Sequence, residues 1–544
     1  MKKILTSKMV RVAILIIAIV AIVIAIISVY NKYVLTEVRA RGGSYTEGII
    51  GAPRFINPVL AQSNADRDLT ELIFGSLIDV DQQGNISYHI ADSLTVSEDQ
   101  KTYTLRINDE AHFSDGTPID AEDVIFIVKK IQSSLIKSPL FNKWVGVGVS
   151  AQGAREVSFT LSQPYADFIY NLTIGVLPEH VWEQVPDNEF IFSVFNTQPV
   201  GSGFYQYSNI EYGSSGTPER YDLVPNDGSV TSPFISKLSI KFYEDSEELL
   251  NAYSSNVIDG AYGISPQYAT ENKVEYIHTG SLLRSFAIFF NTENNKSILD
   301  DETRSALSYA INREQIVNDV FAGNASTIDD PIGDTEISTP YSKETAIDKL
   351  KKAGWKQNSE GTFMKSIAGK NTPLSFTLSV PNIEDVLNVS QIITNNLADI
   401  GVAVSVVSYE EAELTNEVIR SRDFDALLFG YVLEKPSDTF AFWHSSQKND
   451  PGLNISVYSN AKVDAALSNV RNQQQREDDI ETFLEQWEKD SPAIFLYSPN
   501  YVYVSPEHFS ISKGITNSSD RFNTIDQWYQ ETRHVWNFLI RDNG

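Results

Sequence analysis

The seven histidines of this chain, His89, His112, His180, His278, His444, His508 and His534, are scattered, and no two form an H-x-x-x-H pair on one helix. Helical metal ligands must recur about one turn apart to meet a single ion, so a transition-metal site draws little support from this spacing. Asp79-Val80-Asp81-Gln82-Gln83-Gly84 begins like a calcium loop. Its twelfth position, however, is Ile90 where a bidentate Glu is needed, and a hairpin turn is the expectation. Gly213-Ser214-Ser215-Gly216 lacks the G-x-S-x-G spacing of an exposed nucleophile. Gly369-Lys370-Asn371 lacks both the upstream Gly and the Ser or Thr of a phosphate-binding loop. With 71 Asp and Glu in the chain, a chance pair of carboxylates carries no general acid–base signal. No catalytic arrangement, metal or cofactor is signalled, and the chain is expected to bind rather than to transform.

The elements that would have to position a binding site alternate between two periods. Thr102–Ile107 and Val157–Leu161 alternate in the strand manner, and Leu238–Phe242 and Ser285–Asn291 read likewise. Helical patterns run over Asp301–Val320, Lys343–Ala353, Ile383–Ile400 and Arg476–Asp490. Asp399-Ile400-Gly401 closes one helix and launches the strand Val402-Ala403-Val404. This alternation predicts α/β lobes. At residues 112–124, H-F-S-D-G-T-P-I-D-A-E-D-V, Asp115-Gly116 supplies a turn and Pro118 fixes the chain direction. Asp120 then caps a helix whose third residue is Asp123. Val124, Ile127, Val128 and Ile131 form its buried stripe, and Lys129 and Lys130 sit at the favourable end of its dipole.

That segment resembles F-x-D-G-x-P-x-x-A-x-D-V of the bacterial extracytoplasmic solute-binding proteins of family 5, the peptide, dipeptide and nickel type of receptor for ABC importers. Further matches follow in order. Asn57-Pro58 with Ala61 and Asp66 is similar to the family's first cleft loop, and Leu72-Ile73 with Leu77 and Asp81 to its entry to the second domain. Leu161 to Pro164 and Pro178-Glu179-His180 resemble its L-x-x-P and P-x-H pair. Pro199-Val200-Gly201-Ser202-Gly203-Phe204-Tyr205 resembles its P-V-G-T-G-P-Y crossing, with Phe204 in place of proline. Asn291-Thr292, Arg304 to Leu307, Ala310 to Arg313, Ala353-Gly354-Trp355 and Tyr458-Ser459-Asn460 complete the series. Together they cover about residues 46 to 530.

The resemblance implies a two-lobed periplasmic-binding-protein type II (Venus-flytrap) fold with an inserted small domain. Lobe I would comprise 46–75, 201–283 and 504–544, the inserted domain II 76–200, and lobe III 284–503. Gly201 and Gly203 can adopt positive φ at the crossing, as a hinge or as an ordinary turn pair. Leu427 to Asp438 resembles the family's cleft strand, in which backbone pairs with ligand and an acidic residue neutralises the ligand's amino terminus. Here Gly430, Tyr431 and Val432 form the strand, with Tyr431 in place of Trp, and Glu434 takes the acidic position. Glu434 can equally pair with Lys435 or face solvent. Gln62, Ser63 and Asn64 match the cleft face of lobe I. Phe141 and Trp144 of domain II are the aromatic candidates for the opposite wall, or else core. The implied ligand is an oligopeptide, with an oligosaccharide, a metal chelate or haem as alternatives in the same fold. A peptide sensor or extracytoplasmic enzyme without a transporter is the alternative outside it.

Lys2, Lys3, Lys8 and Arg11 precede a charge-free apolar run from Val12 to Tyr30, whose 19 positions make a helix of roughly 28 Å, about the thickness of a bilayer core. It exceeds the usual signal-peptide core, so one transmembrane helix is expected to precede the fold. Residues 1–11 would lie in the cytoplasm, 12–30 would anchor, and 31–45 would be a linker. Val38-Arg39-Ala40 has the look of a cleavage site, but it is ringed by charge and lies beyond the run. The chain has no Cys, which excludes a lipidated cysteine and disulfides. The expected location is the cytoplasmic membrane, single-pass, with the body on the periplasmic or cell-surface side as a monomer meeting ABC permease subunits. A net charge of -28, from 43 basic and 71 acidic residues, argues against nucleic acid as a partner.

Overall fold

The structure is a computed structural model that describes residues 11–25, 35–80, 85–264, 266–274, 277–281, 284–332, 339–410, 413–432, 439–450, 452–471, 476–504, 520–522 and 524–536. Its spine is a mixed twelve-stranded sheet. In spatial order the main path runs Ala403–Tyr409, Ser375–Pro381, Ala426–Val432, Arg284–Phe290, Ala493–Val504, Gly260–Tyr262, Gly42–Ile50, Ile235–Tyr243, Pro218–Pro225 and Tyr205–Tyr212.

The twelve-residue strand Ala493–Val504 is common to both halves of this path. Its first part pairs with Arg284–Phe290 and its last part with Ile277–Ser281 and Gly260–Tyr262. Burial follows the same division. One set of apolar clusters draws on Tyr45 to Ala269 and on Val502 to Trp528, the other on Phe286 to Tyr497. Two bodies, each with its own core, are thus joined through antiparallel strands that cross between them.

A smaller antiparallel sheet of Ala91–Val96, Thr102–Ile107, Glu156–Thr160 and Gly148–Ala151 belongs to the first body. The helix Ala121–Ile131 packs on it, opened by the expected capping box of Asp120 and Asp123. Val124, Ile127, Val128 and Ile131 are completely buried. Asp123 also accepts from the Glu179 amide at 2.9 Å, and burial pushes its carboxyl up to about 6. The turn before the helix is docked rather than free. The Ser114 amide donates to the Gly201 carbonyl at 2.8 Å, and His180 Nε2 lies 2.7 Å from Asp115. Three of the sequence matches are therefore one piece of scaffolding.

Three expectations change. Asp301–Val320 is two helices, Asp301–Ala310 and Arg313–Phe321, because Asn312 leaves helical geometry and its side chain accepts from the Gln315 amide as a new N-cap. Gly201 and Gly203 do not take positive φ. They are glycine because the backbone of the helix Asn64–Ile73 ends against them: a Cβ on Gly201 would stand 2.0 Å from the Ile73 carbonyl oxygen. The linker expected over 31–45 is in strand from Leu35, where Leu35–Ala40 pairs antiparallel with Glu531–Trp536.

Among the described residues no helix is long and apolar enough to cross a membrane. The stretch 11–25 is helical with its apolar side chains exposed, while the rest of the run to Tyr30 lies outside the described residues.

Candidate functional site

The strand Ala426–Val432 lies at the crossing between the bodies. One edge pairs along its whole length with Arg284–Phe290. The other pairs in parallel with Ser375–Pro381, but only at Ala426 and Leu427. Beyond Leu427 no described strand pairs with that edge over Leu428 to Val432. Gly430 is dictated by its register partner Phe286, whose ring carbons would lie 2.8 Å from a Cβ there. Phe286 in turn stacks on Tyr497, with centroids 4.8 Å apart and planes 5° apart, and Tyr497 meets Phe321 at 4.7 Å.

Tyr431 does not present its ring at this edge. Its side chain is buried against Phe289, Phe442 and Phe495, and its hydroxyl donates to the Pro331 carbonyl at 3.1 Å. Val432 ends the strand opposite Arg284. Glu434, the expected amine acceptor, lies outside the described residues.

Gln62, Ser63 and Asn64 are exposed at the start of the helix Asn64–Ile73. The Ser63 hydroxyl accepts from the Asp66 amide at 3.1 Å, as the N-cap, so helix formation engages it. Asp66 returns the bond to the Ser63 amide and also accepts from the Arg54 and Phe55 amides at 2.7 and 2.8 Å, which fixes the preceding loop. Trp144 is a correction. It is 1% exposed and packs on Phe159 and Phe168, so its ring belongs to the core and faces no ligand. Phe141, one turn earlier, is only half-buried.

Sequence reasoning missed a side-chain contact between the bodies. The Arg471 guanidinium, at the end of the helix Ala461–Arg471, lies 4.3 Å from the centroid of Tyr165 and 4.5 Å from that of Phe440. Tyr165 packs on the first body's core and Phe440 on the second's. The Arg471 Nε is buried without a hydrogen-bond partner, so the rings are its main recompense there. An apolar–cation–apolar sandwich between distant segments leaves no local sequence pattern. Among the described residues no group of three or more His, Cys, Asp or Glu could hold a metal ion.

The family model described as "Bacterial extracellular solute-binding proteins, family 5 Middle" matches residues 85–452. The chain belongs to that family. The oligopeptide-binding protein AppA of Bacillus subtilis is 26% identical over 510 residues, covering 90% of this chain and 92% of AppA. The structure of that AppA in complex with a nonapeptide superposes with a TM-score of 0.73 at 25% identity, covering 91% of this chain and all of AppA. NikZ from Campylobacter jejuni, in complex with Ni(L-His), gives the same TM-score at 24% identity and covers 90% of this chain and 99% of NikZ, which speaks to the fold alone.

Proposed function

We propose that this family member is the extracytoplasmic receptor of an ABC importer and that it captures oligopeptides in the cleft between its lobes. The observation that carries this reading is the edge of Leu428 to Val432 at the crossing, which no described strand pairs with. An extended peptide adds there as a strand, so main-chain bonds supply affinity and side chains remain loosely specified. The peptide-binding AppA, similar over nine-tenths of the chain, supports the same ligand class. The lobes divide at about 46–75, 201–283 and 504–544 for lobe I, 76–200 for domain II and 284–503 for lobe III. Motion centres on the strands that cross between the bodies rather than on Gly201 and Gly203, which are clamped against Ile73. Ligand bridging both bodies favours the closed form, because only closure lets both faces touch it. Glu434 takes the peptide's amine, and the 12–30 helix tethers the receptor. The closed receptor then meets the permease, whose ATPases drive transport. Mass spectrometry of ligands released from the denatured full-length protein tests the class: mixed short peptides are expected, and a sugar, haem or nickel chelate in their place overturns it.

A further inference from the structure

His444 stands behind the Arg471 contact. It closes the short helix Phe440–Trp443, and its imidazole stacks on Phe440 with centroids 4.1 Å apart and planes 20° apart. Phe440 is thus shared between His444 and the Arg471 guanidinium, whose Cζ lies 4.5 Å from the same ring and 4.3 Å from Tyr165 of the other body.

The hydrogen bonds around the imidazole fit only its neutral form. Nδ1 accepts from the Ser446 amide at 3.1 Å, capping the turn Ser445–Gln447, so it holds no proton. The ring proton is then on Nε2, 3.4 Å from Ser468 Oγ, whose own proton goes to the Asp464 carbonyl at 2.7 Å. A second ring proton would set one N–H against another at Ser446. Only the Ser446 hydroxyl, 2.8 Å away, could then accept it.

The charges facing the ring come from the helix Ala461–Arg471. Asp464 Oδ1 is 4.0 Å from Nδ1, but its carboxylate already accepts from the Ser445 amide at 2.8 Å and the Ser445 hydroxyl at 2.6 Å. Arg471 is the opposing charge. Beyond the ring's own turn, Lys448 pairs with Glu293 at 3.1 Å, and the first body contributes the Tyr165 ring, on the guanidinium. Burial presses the imidazole below its ordinary pKa; Asp464 opposes this and Arg471 adds to it.

We propose that His444 makes the Arg471 contact acid-sensitive: a proton on Nδ1 sets a second cation beside Phe440, loosens the hold on Tyr165 and favours the open arrangement, so ligand is released as pH falls. The proposal rests on the peptide-receptor reading for its ligand. Its sign follows from solvation. Closure packs Arg471 between two rings with its Nε lacking a hydrogen-bond partner, and a second cation, no farther off than the two Phe440 distances combined, makes that desolvation costlier. When Tyr165 withdraws, water returns to Arg471 and screens the repulsion. The open form therefore binds the proton more tightly. Closure keeps its full strength above about pH 6.5, the ordinary histidine value, and weakens as pH falls through the lower value of the closed form.

The test measures pentaalanine binding by full-length protein in detergent at about pH 7 and about pH 5, between which the peptide's own termini hold their charge. Acidification should raise the wild-type Kd about 2- to 10-fold more than that of His444→Gln, whose amide oxygen can keep the Ser446 bond without taking a proton. In the Arg471→Ala background the same substitution should make no difference. Equal pH dependence in wild type and His444→Gln, or an undiminished difference in the Arg471→Ala background, overturns the proposal. If wild type does not bind pentaalanine, the peptide reading falls, and NMR titration of the histidine rings decides the coupling separately, as it does if His444→Gln fails to fold. The resonance lost in His444→Asn should titrate below the ordinary range in wild type and move up in Arg471→Ala; an unmoved midpoint overturns the coupling.

Discussion

Removing the Arg471 guanidinium tests closure most directly, and its size can be worked from the contacts. Arg471 touches two rings, but only one of them depends on closure. Phe440 and Arg471 belong to the same body and keep their 4.5 Å contact in either arrangement, whereas the 4.3 Å contact with Tyr165 exists only when the bodies meet. A desolvated cation–π contact contributes about 1 to 2 kcal/mol. Arg471→Ala should therefore shift the closed-to-open ratio about 5- to 30-fold toward open. In a mostly open free protein, the Kd for pentaalanine rises by the same factor, which calorimetry reads. Small-angle scattering of the ligand-saturated protein should show the variant needing more peptide to reach the same compact dimensions. Tyr165→Leu should give the same loss and the double variant no further loss, since both delete one contact. Phe440→Leu should cost less. Fully additive losses, or an Arg471→Ala protein that binds like wild type, would refute the argument.

The buried network of Glu47, Asp68 and Arg521 makes a pH prediction. Desolvation, with the nearby Asp68 opposing the pull of Arg521, pushes Glu47 up to about 7 from 4.5. The folded state thus holds a proton that the unfolded chain releases, so the contribution is complete below pH 4.5 and is lost as pH rises through about 7. About 3 kcal/mol is at stake, and the wild-type minus Glu47→Gln stability difference in urea should fall across that window; a flat difference refutes it. Gly201→Ala should destabilise by about 1 to 3 kcal/mol, because the Ile73 backbone must move, and a melting curve like wild type would contradict the close approach. Glu434→Gln should weaken a free-amine peptide by about 2 to 5 kcal/mol and its N-acetylated form much less, by calorimetry. The full-length protein should stay in the membrane fraction through alkaline carbonate, and release into the supernatant would remove the tether.

What the sequence made legible was local or repeated in order. The capping box at Asp120 and Asp123 is three residues of hydrogen-bond chemistry, and it forms as written. The apolar stripe of that helix and the alternating strands likewise carry their burial in their own period. The glycines show where this stops. Gly201, Gly203 and Gly430 are all required, yet none for a positive φ; each makes room for an atom contributed by another segment. Trp144 fails as a ligand-facing aromatic for the same reason, since only the fold reveals that its ring has a full set of neighbours. The Arg471 sandwich joins Tyr165 to Phe440 and Arg471, far apart in the chain, and no window of sequence contains it.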